Sequence, residues 1–335
     1  MGDPVLRGEY QSFADMLKQP EGVLGAICFS SSPLDPVGTF CLPVLMQRLG
    51  AKDSVCEVWR CSGEVTQGQY ADIRYRHGNG ALFGVIALPE NRFTPLPGKP
   101  MLQQAAESAY RQILGLLDKL GYPYLYRFWN YIADINVSSF GMERYQQFNI
   151  GRQDAFLAHN RGVLGNAPAA CALGMKEGPL GIAFIAGKAP PLNIENPRQI
   201  SACQYPRQYG PRSPTFSRAT LVPIGQEAVL FISGTASIVG HETVHREDAV
   251  MQAREAMANI KAVLDEANRQ SPDCEFGLAD LDYRVYIRRP ADLAIVRAEL
   301  ARIVGGQCNA IYLQADICRT DLLLEIEAVY ACKMG

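Results

Sequence analysis

Three groups of residues carry types and spacings that could do chemistry. His241-Glu242-Thr243-Val244-His245 fits the H-E-x-x-H pattern, in which two histidines one helical turn apart hold zinc and the glutamate activates water. That chemistry needs a helix. Here the five residues follow a strand-like run closed by Gly240, include two β-branched residues and precede the helical periodicity that begins near Asp248, so a loop or helix-entry role is expected. The second group runs from Asn196 to Arg218 and holds Arg198, Arg207, Arg212 and Arg218 with Tyr205 and Tyr209, among four prolines and Gly210. Proline at this density forbids regular helix or central strand, so a long stiff loop is expected. Guanidiniums beside phenols are the donors a dicarboxylate needs, although an Arg-rich interface loop would read the same way. The third group is the strand-like run Leu322 to Tyr330, where period-two alternation puts Leu323, Glu325, Glu327 and Val329 on one face. Two carboxyls removed from water raise each other's pKa and make a general acid usable at neutral pH; on a solvent-facing edge they would stay ordinary.

These groups need elements to position them. Runs of strand length and β-rich composition occur at 22–29, 81–88, 181–186, 227–238, 283–288, 310–315 and 322–330, and helical spacing at 101–119, 248–267 and about 291–304. In the second helix Ala249, Ala253, Ala256, Ile260 and Val263 form one buried stripe. The order over the last hundred residues, strand, long helix, strand, helix, strand, strand, predicts a sheet covered by two helices on one face, and the first half reads as a degenerate copy. The expected class is α+β with two domains, 1–160 and 161–335, each a mixed sheet covered by helices on one face. The Gly- and Ala-rich stretch HNRGVLGNAPAACALG marks the boundary.

With 335 residues, 48% hydrophobic and 20% charged, the chain has the composition of a folded globular protein. A net charge of −2 provides no global attraction to nucleic acid or anionic lipid. Arginine outnumbers lysine 24 to 8, which suits planar recognition of carboxylates or simply a GC-rich genome. Ten scattered cysteines lack zinc or disulfide-scaffold spacing and read as reduced thiols. The start MGDPVLRGEY has no signal-peptide pattern, and no run of about 18 apolar residues occurs, so a cytoplasmic protein is expected.

Six segments in order, YRFWNYIADIN (126–136), ERYQQFNIGRQDAF (143–156), PAACALG (168–174), NPRQISACQYPRQYGPRSPTFSRA (196–219), LFISGTASIVGHETVH (230–245) and ADICRTDLLLEIEAVY (315–330), resemble the motifs of the chorismatase family. Ala133 departs from the proline of that pattern. The closing IEIEA segment is also similar, more weakly, to the YjgF/Rid imine deaminases, which implies a Rid-like core in the second half and a site in a cleft of the C-terminal domain. The resemblance further implies cleavage of chorismate without metal or organic cofactor and with no obligatory protein partner. Glu325 would be the proton donor, and Arg152, Tyr205, Arg212 and Arg218 the substrate-binding groups. His241 and His245 become structural.

The implied chemistry suits the residue types. Chorismate carries two carboxylates and an enolpyruvyl ether, so arginine clamps can fix its pose, and protonation of the ether's methylene by a neutral Glu325 gives an oxocarbenium ion. Capture by water yields a dihydrodiol acid and pyruvate; loss of pyruvate with rearomatisation yields a hydroxybenzoate. Members forming hydroxybenzoates resemble this chain at Gly234 and Cys318, where the hydrolases tend to have alanine. The expected product is therefore 3-hydroxybenzoate, with 4-hydroxybenzoate as a second. Cys318 reads as a pocket wall rather than a nucleophile. A Rid-type deaminase or a non-catalytic metabolite-binding protein are the rival classes.

Overall fold

The structure is a computed structural model and describes residues 6–34, 40–94, 96–161 and 167–333. Three sheets surround a common core. The first has four strands in the order Leu6–Gln11, Val55–Cys61, Val23–Ser30, Cys41–Leu45. The second has six, Ala169–Met175, Tyr124–Ala133, Leu180–Gly187, Ala81–Leu88, Ile73–Gly78 and Thr66–Tyr70. The third has another six, Leu192–Ile194, Ala219–Ile224, Glu227–Thr235, Leu324–Lys333, Asp282–Ile287 and Ala310–Gln314. Besides the short α1 (Phe13–Lys18), two helices cover each large sheet: α2 (Met101–Leu120) and α3 (Arg144–Ala158) the second, α4 (Ala249–Gln270) and α5 (Leu293–Val304) the third. This is the expected α+β class with mixed sheets. Among the described residues no helix is long and apolar enough to cross a membrane.

Local chemistry explains the helices. Asp248 caps α4 by accepting from the Met251 amide at 3.0 Å, and the predicted alanine stripe is buried against the third sheet. Helix α3 crosses α2 so closely that a Cβ on Gly151 would lie 2.1 Å from the Gln103 carbonyl oxygen, a contact only glycine permits.

The expected division of the chain at 160/161 does not coincide with a change of sheet. Residues 162–166 lie outside the described ones, but the strands on both sides of them, Tyr124–Ala133 and Ala169–Met175, pair in parallel, and Leu180–Gly187 inserts beside them. The change of sheet comes between Gly187 and Leu192 rather than at 160/161. Composition marked a connection within a sheet, not its end. The thiol reading is corrected at four positions as well: Cys28 is joined to Cys56 and Cys274 to Cys332. Cys28 and Cys56 face each other across an antiparallel pair, a proximity that spacing along the chain does not reveal.

The inner faces of the three sheets meet over apolar side chains and one buried ion network. Glu57 comes from the first sheet, Arg127 from the second, and Arg284 and Glu327 from the third. Arg284 binds Glu57, and Arg127 binds Glu327. Arg284 Nε also lies 2.9 Å from Glu327 Oε1, close enough for ion pairing although its N–H is turned off the oxygen. Tyr286 OH donates to the same oxygen at 2.9 Å. Removing one member of a buried ion set strands its partners without water and typically costs about 3–5 kcal/mol. Arg284→Met should therefore lower the unfolding free energy in urea by that order; an unchanged midpoint and slope would mean the network does not hold the sheets together.

Candidate active site

The closing strand Leu324–Lys333 lies in the middle of the third sheet, between Glu227–Thr235 and Asp282–Ile287. Its two glutamates point to the same face, as alternation requires, and both are buried. Their surroundings differ. Glu327 meets the guanidiniums of Arg127 and Arg284, whereas Glu325 takes part in no ion pair among the described residues. The partner of Glu325 is the Cys318 thiol, with Sγ 4.0 Å from Oε2. Burial, reinforced by the negative charge of Glu327 and only partly offset by Arg127, pushes the Glu325 carboxyl up to about 8. One face of one strand thus carries a paired carboxylate and a carboxyl that keeps its proton at neutral pH.

Space for that carboxyl comes from the neighbouring strand. Pairing of Glu227–Thr235 with the closing strand slips by one residue between Ile232 and Thr235, a bulge at Ser233-Gly234. A Cβ on Gly234 would lie 1.9 Å from Glu325 Oε1 and 3.1 Å from Cys171 Cβ, so glycine leaves the room that the acid occupies. The bulge also aims Ser233 at the edge of the second sheet. Ser233 Oγ accepts from the Ala170 amide at 2.9 Å, and Thr220 Oγ1 from the Ala169 amide at 2.8 Å, so hydroxyls satisfy two amides at the start of Ala169–Met175, whose Gly174 amide donates instead to the Asp316 carbonyl at 2.7 Å.

Glu325 opens into a cavity of about 450 Å³ that lies between the halves. Arg152, Cys171 and Tyr145 line it from the first half, and Tyr205, Arg218, Gly234, Cys318 and Arg319 from the second. Arg152, from α3, is only 2% exposed; Nη2 donates to Asn149 Oδ1 at 2.8 Å, Nε has no hydrogen-bond partner, and no carboxylate pairs with it among the described residues. A buried guanidinium left in that condition calls for an anion. Arg218 donates from Nη2 to the Ile200 carbonyl at 2.7 Å and to Tyr205 OH at 3.0 Å, with Glu195 at 4.0 Å from Nε. Burial pushes the Cys318 thiol up to about 12, with the charge of Glu325 as the second cause, which disfavours a thiolate nucleophile and fits a neutral wall.

Six of the seven site residues expected from sequence line this cavity: Glu325, Arg152, Tyr205, Arg218, Gly234 and Cys318. Arg212 does not. Its side chain is 46% exposed and lies 3.7 Å from Asp154 on α3, outside the lining. Nothing in the spacing of the Arg-rich loop shows which of its arginines turns inward. The residue missed is Arg319, which lies over the Tyr209 ring at 3.9 Å. Its adjacency to Cys318 inside the ADICRTD segment was the available signal.

The H-E-x-x-H residues are not helical. Glu242–Thr243 pairs with Ile238–Val239 in a short hairpin, and α4 begins only at Ala249. His241 Nδ1 lies 3.3 Å from Tyr209 OH, and His245 Nε2 lies 3.5 Å from Glu255, so the two imidazoles go to different partners.

Comparisons with known proteins relate the chain and its fold to one family. Residues 57–186 match the model of the N-terminal region of FkbO/Hyg5-like chorismatases. A chorismatase of Streptomyces rapamycinicus is 38% identical over 83% of both chains, and a 3-hydroxybenzoate synthase of Streptomyces hygroscopicus is 36% identical over 82% of this chain and 80% of its own. A chorismatase crystal structure superposes with a TM-score of 0.84 at 32% identity, over 97% of this chain and 98% of that one. Similarity of sequence and of fold over this much of its length makes the chain a member of the chorismatase family.

Proposed function

We propose that this protein cleaves chorismate to pyruvate and 3-hydroxybenzoate, with 4-hydroxybenzoate as a second product, and that Glu325 is its general acid. One observation carries the reading: a carboxyl that holds its proton to about pH 8 opens into the same cavity as Arg152 and Arg319, guanidiniums with no carboxylate of their own among the described residues. Chorismate has two carboxylates and an acid-labile enol ether. Relatives named chorismatase and 3-hydroxybenzoate synthase support the same substrate and product class.

In this mechanism Arg152, Arg218 and Tyr205 orient the substrate, and neutral Glu325 gives its proton to the methylene carbon of the side chain. The bond from the ring to the ether oxygen then breaks, and pyruvate leaves with that oxygen. No water is consumed, so the ring oxygen of the product is the former 4-hydroxyl. If it stays in place and the adjacent ring proton departs, 4-hydroxybenzoate results. Should it bridge to the neighbouring carbon and then release its original one, loss of the proton from its new carbon gives 3-hydroxybenzoate. The Glu325 carboxylate left by the first step can take up this ring proton and become the acid again. Water reaching the oxocarbenium carbon would instead give the dihydrodiol acid. Gly234 and Cys318 flank the carboxyl, so they shape the space in which these outcomes compete.

Incubation with chorismate should release pyruvate, and the rate should fall as pH rises through about 8, because the acid loses its proton there. A limb near the ordinary carboxylate range would remove Glu325 from this role. Glu325→Gln should release no pyruvate yet remain folded. It should also be more stable than wild type at alkaline pH: the native carboxyl keeps its proton to about 8 while the unfolded one loses it near 4.5, so wild-type stability declines across that window by an amount of a few kcal/mol that the variant is spared. Equal stability of the two proteins at pH 9 would contradict the raised proton affinity. Finally, Gly234→Ala with Cys318→Ala should raise the dihydrodiol at the expense of hydroxybenzoate, while the new methyl group crowds Glu325 and slows turnover. A tenfold change in partition needs only about 1.4 kcal/mol. Chromatography decides it: an unchanged ratio in an active double variant would place product choice elsewhere.

A further inference from the structure

Building on the reading that this cavity takes a dicarboxylate, we infer that Arg319 is a carboxylate clamp and that the hairpin carrying His241 and Thr243 is the platform that positions it. The hairpin fits the H-E-x-x-H pattern yet has no part in the proton transfer, and two of its residues, His241 and Thr243, meet this arginine. Arg319 Nη1 donates to the His241 carbonyl at 2.8 Å and lies 3.4 Å from Thr243 Oγ1. The guanidinium lies 3.9 Å from the ring centre of Tyr209 and 5.3 Å from that of Tyr205, and Tyr209 OH returns to His241 Nδ1 at 3.3 Å. A flat cation held against aromatic rings keeps its fork in one plane, which two-point recognition of a carboxylate requires.

The platform is itself rigid. Val244 N donates to the Ser237 carbonyl at 2.9 Å and Ser237 Oγ to the Val244 carbonyl at 2.8 Å, closing the hairpin's base. From α4, Asn259 Nδ2 donates to the carbonyls of Ala236 and Ile238 at 3.2 and 2.9 Å. Asp321, two residues beyond Arg319, is bound instead by Thr243 Oγ1 at 3.0 Å and lies 3.4 Å from Arg246. Arg319 therefore lines the cavity with Nε and Nη2 free of hydrogen bonds and ion pairs among the described residues. A positioned but uncommitted fork in the cavity that the acid lines is what a substrate carboxylate would complete.

The test is the affinity for chorismate, measured by calorimetry in the Glu325→Gln background, where no turnover intervenes. Adding Arg319→Met should weaken binding at least tenfold with the melting temperature unchanged, and Arg319→Lys should restore only part of it. With active Glu325, Arg319→Met should raise KM by a similar factor and leave kcat within threefold. Should Arg319→Met fail to fold, Tyr209→Leu, which removes the ring nearest the guanidinium, should weaken binding at least threefold. Unchanged affinity in folded Arg319→Met, or unchanged affinity in Tyr209→Leu where the first does not fold, overturns the assignment. Wild-type pyruvate release reports separately on the proposed reaction: turnover with unchanged Arg319→Met affinity sinks the clamp alone, and weakened binding without wild-type turnover sinks the reaction alone.

Discussion

Four buried charges, two guanidiniums and two carboxylates, are the interaction on which the rest of this molecule depends. Glu57, Arg127, Arg284 and Glu327 come from three different sheets and meet where those sheets would otherwise enclose only apolar side chains. Such a set gains little over a hydrophobic core in free energy, but it admits few arrangements. Its geometry also determines the chemistry two residues along the closing strand. Because both arginines are engaged with Glu57 and Glu327, neither pairs with Glu325, and the negative charge of Glu327 adds to burial in holding the Glu325 proton. The same network that registers the sheets thereby sets up the acid.

The cavity lies where the second and third sheets meet without forming one sheet. Ala169–Met175 is an edge strand whose Ala169 and Ala170 amides bond to a threonine and a serine hydroxyl, so it stands beside Glu227–Thr235 without pairing with it as a strand. The slip at Ser233-Gly234 supplies one of those hydroxyls and, in the next residue, the gap for the carboxyl. A single irregularity in hydrogen bonding thus serves the packing of the edge and the placing of the buried carboxyl together.

What could be read from the residues alone follows physical lines. Strong periodicity located α2 and α4 because each presents one apolar stripe to one sheet. Helix α3 escaped notice because it buries polar residues: Gln147, which binds Ser139 and Met142, and Asn149, which holds the cavity-lining Arg152. Tyr124–Ala133 is covered on both faces and shows no alternation, whereas Thr66–Tyr70 is too polar to announce a strand. Glu325 was legible from alternation and motif together. Arg212 and Arg319 were not distinguishable by composition, since the direction a loop side chain takes depends on packing from distant segments such as the hairpin beyond Gly240.

The central place of Leu324–Lys333 in its sheet has a consequence for biosynthesis. Both of its partner strands, Glu227–Thr235 and Asp282–Ile287, leave the ribosome before it does, so until it arrives the nascent sheet has a gap at its middle bordered by two edges of unpaired backbone N–H and C=O groups. The strand that fills the gap is the one that carries Glu325. A nascent chain lacking it exposes those edges and lacks the raised-pKa carboxyl of Glu325, so completion of the sheet and the onset of acidity are the same event.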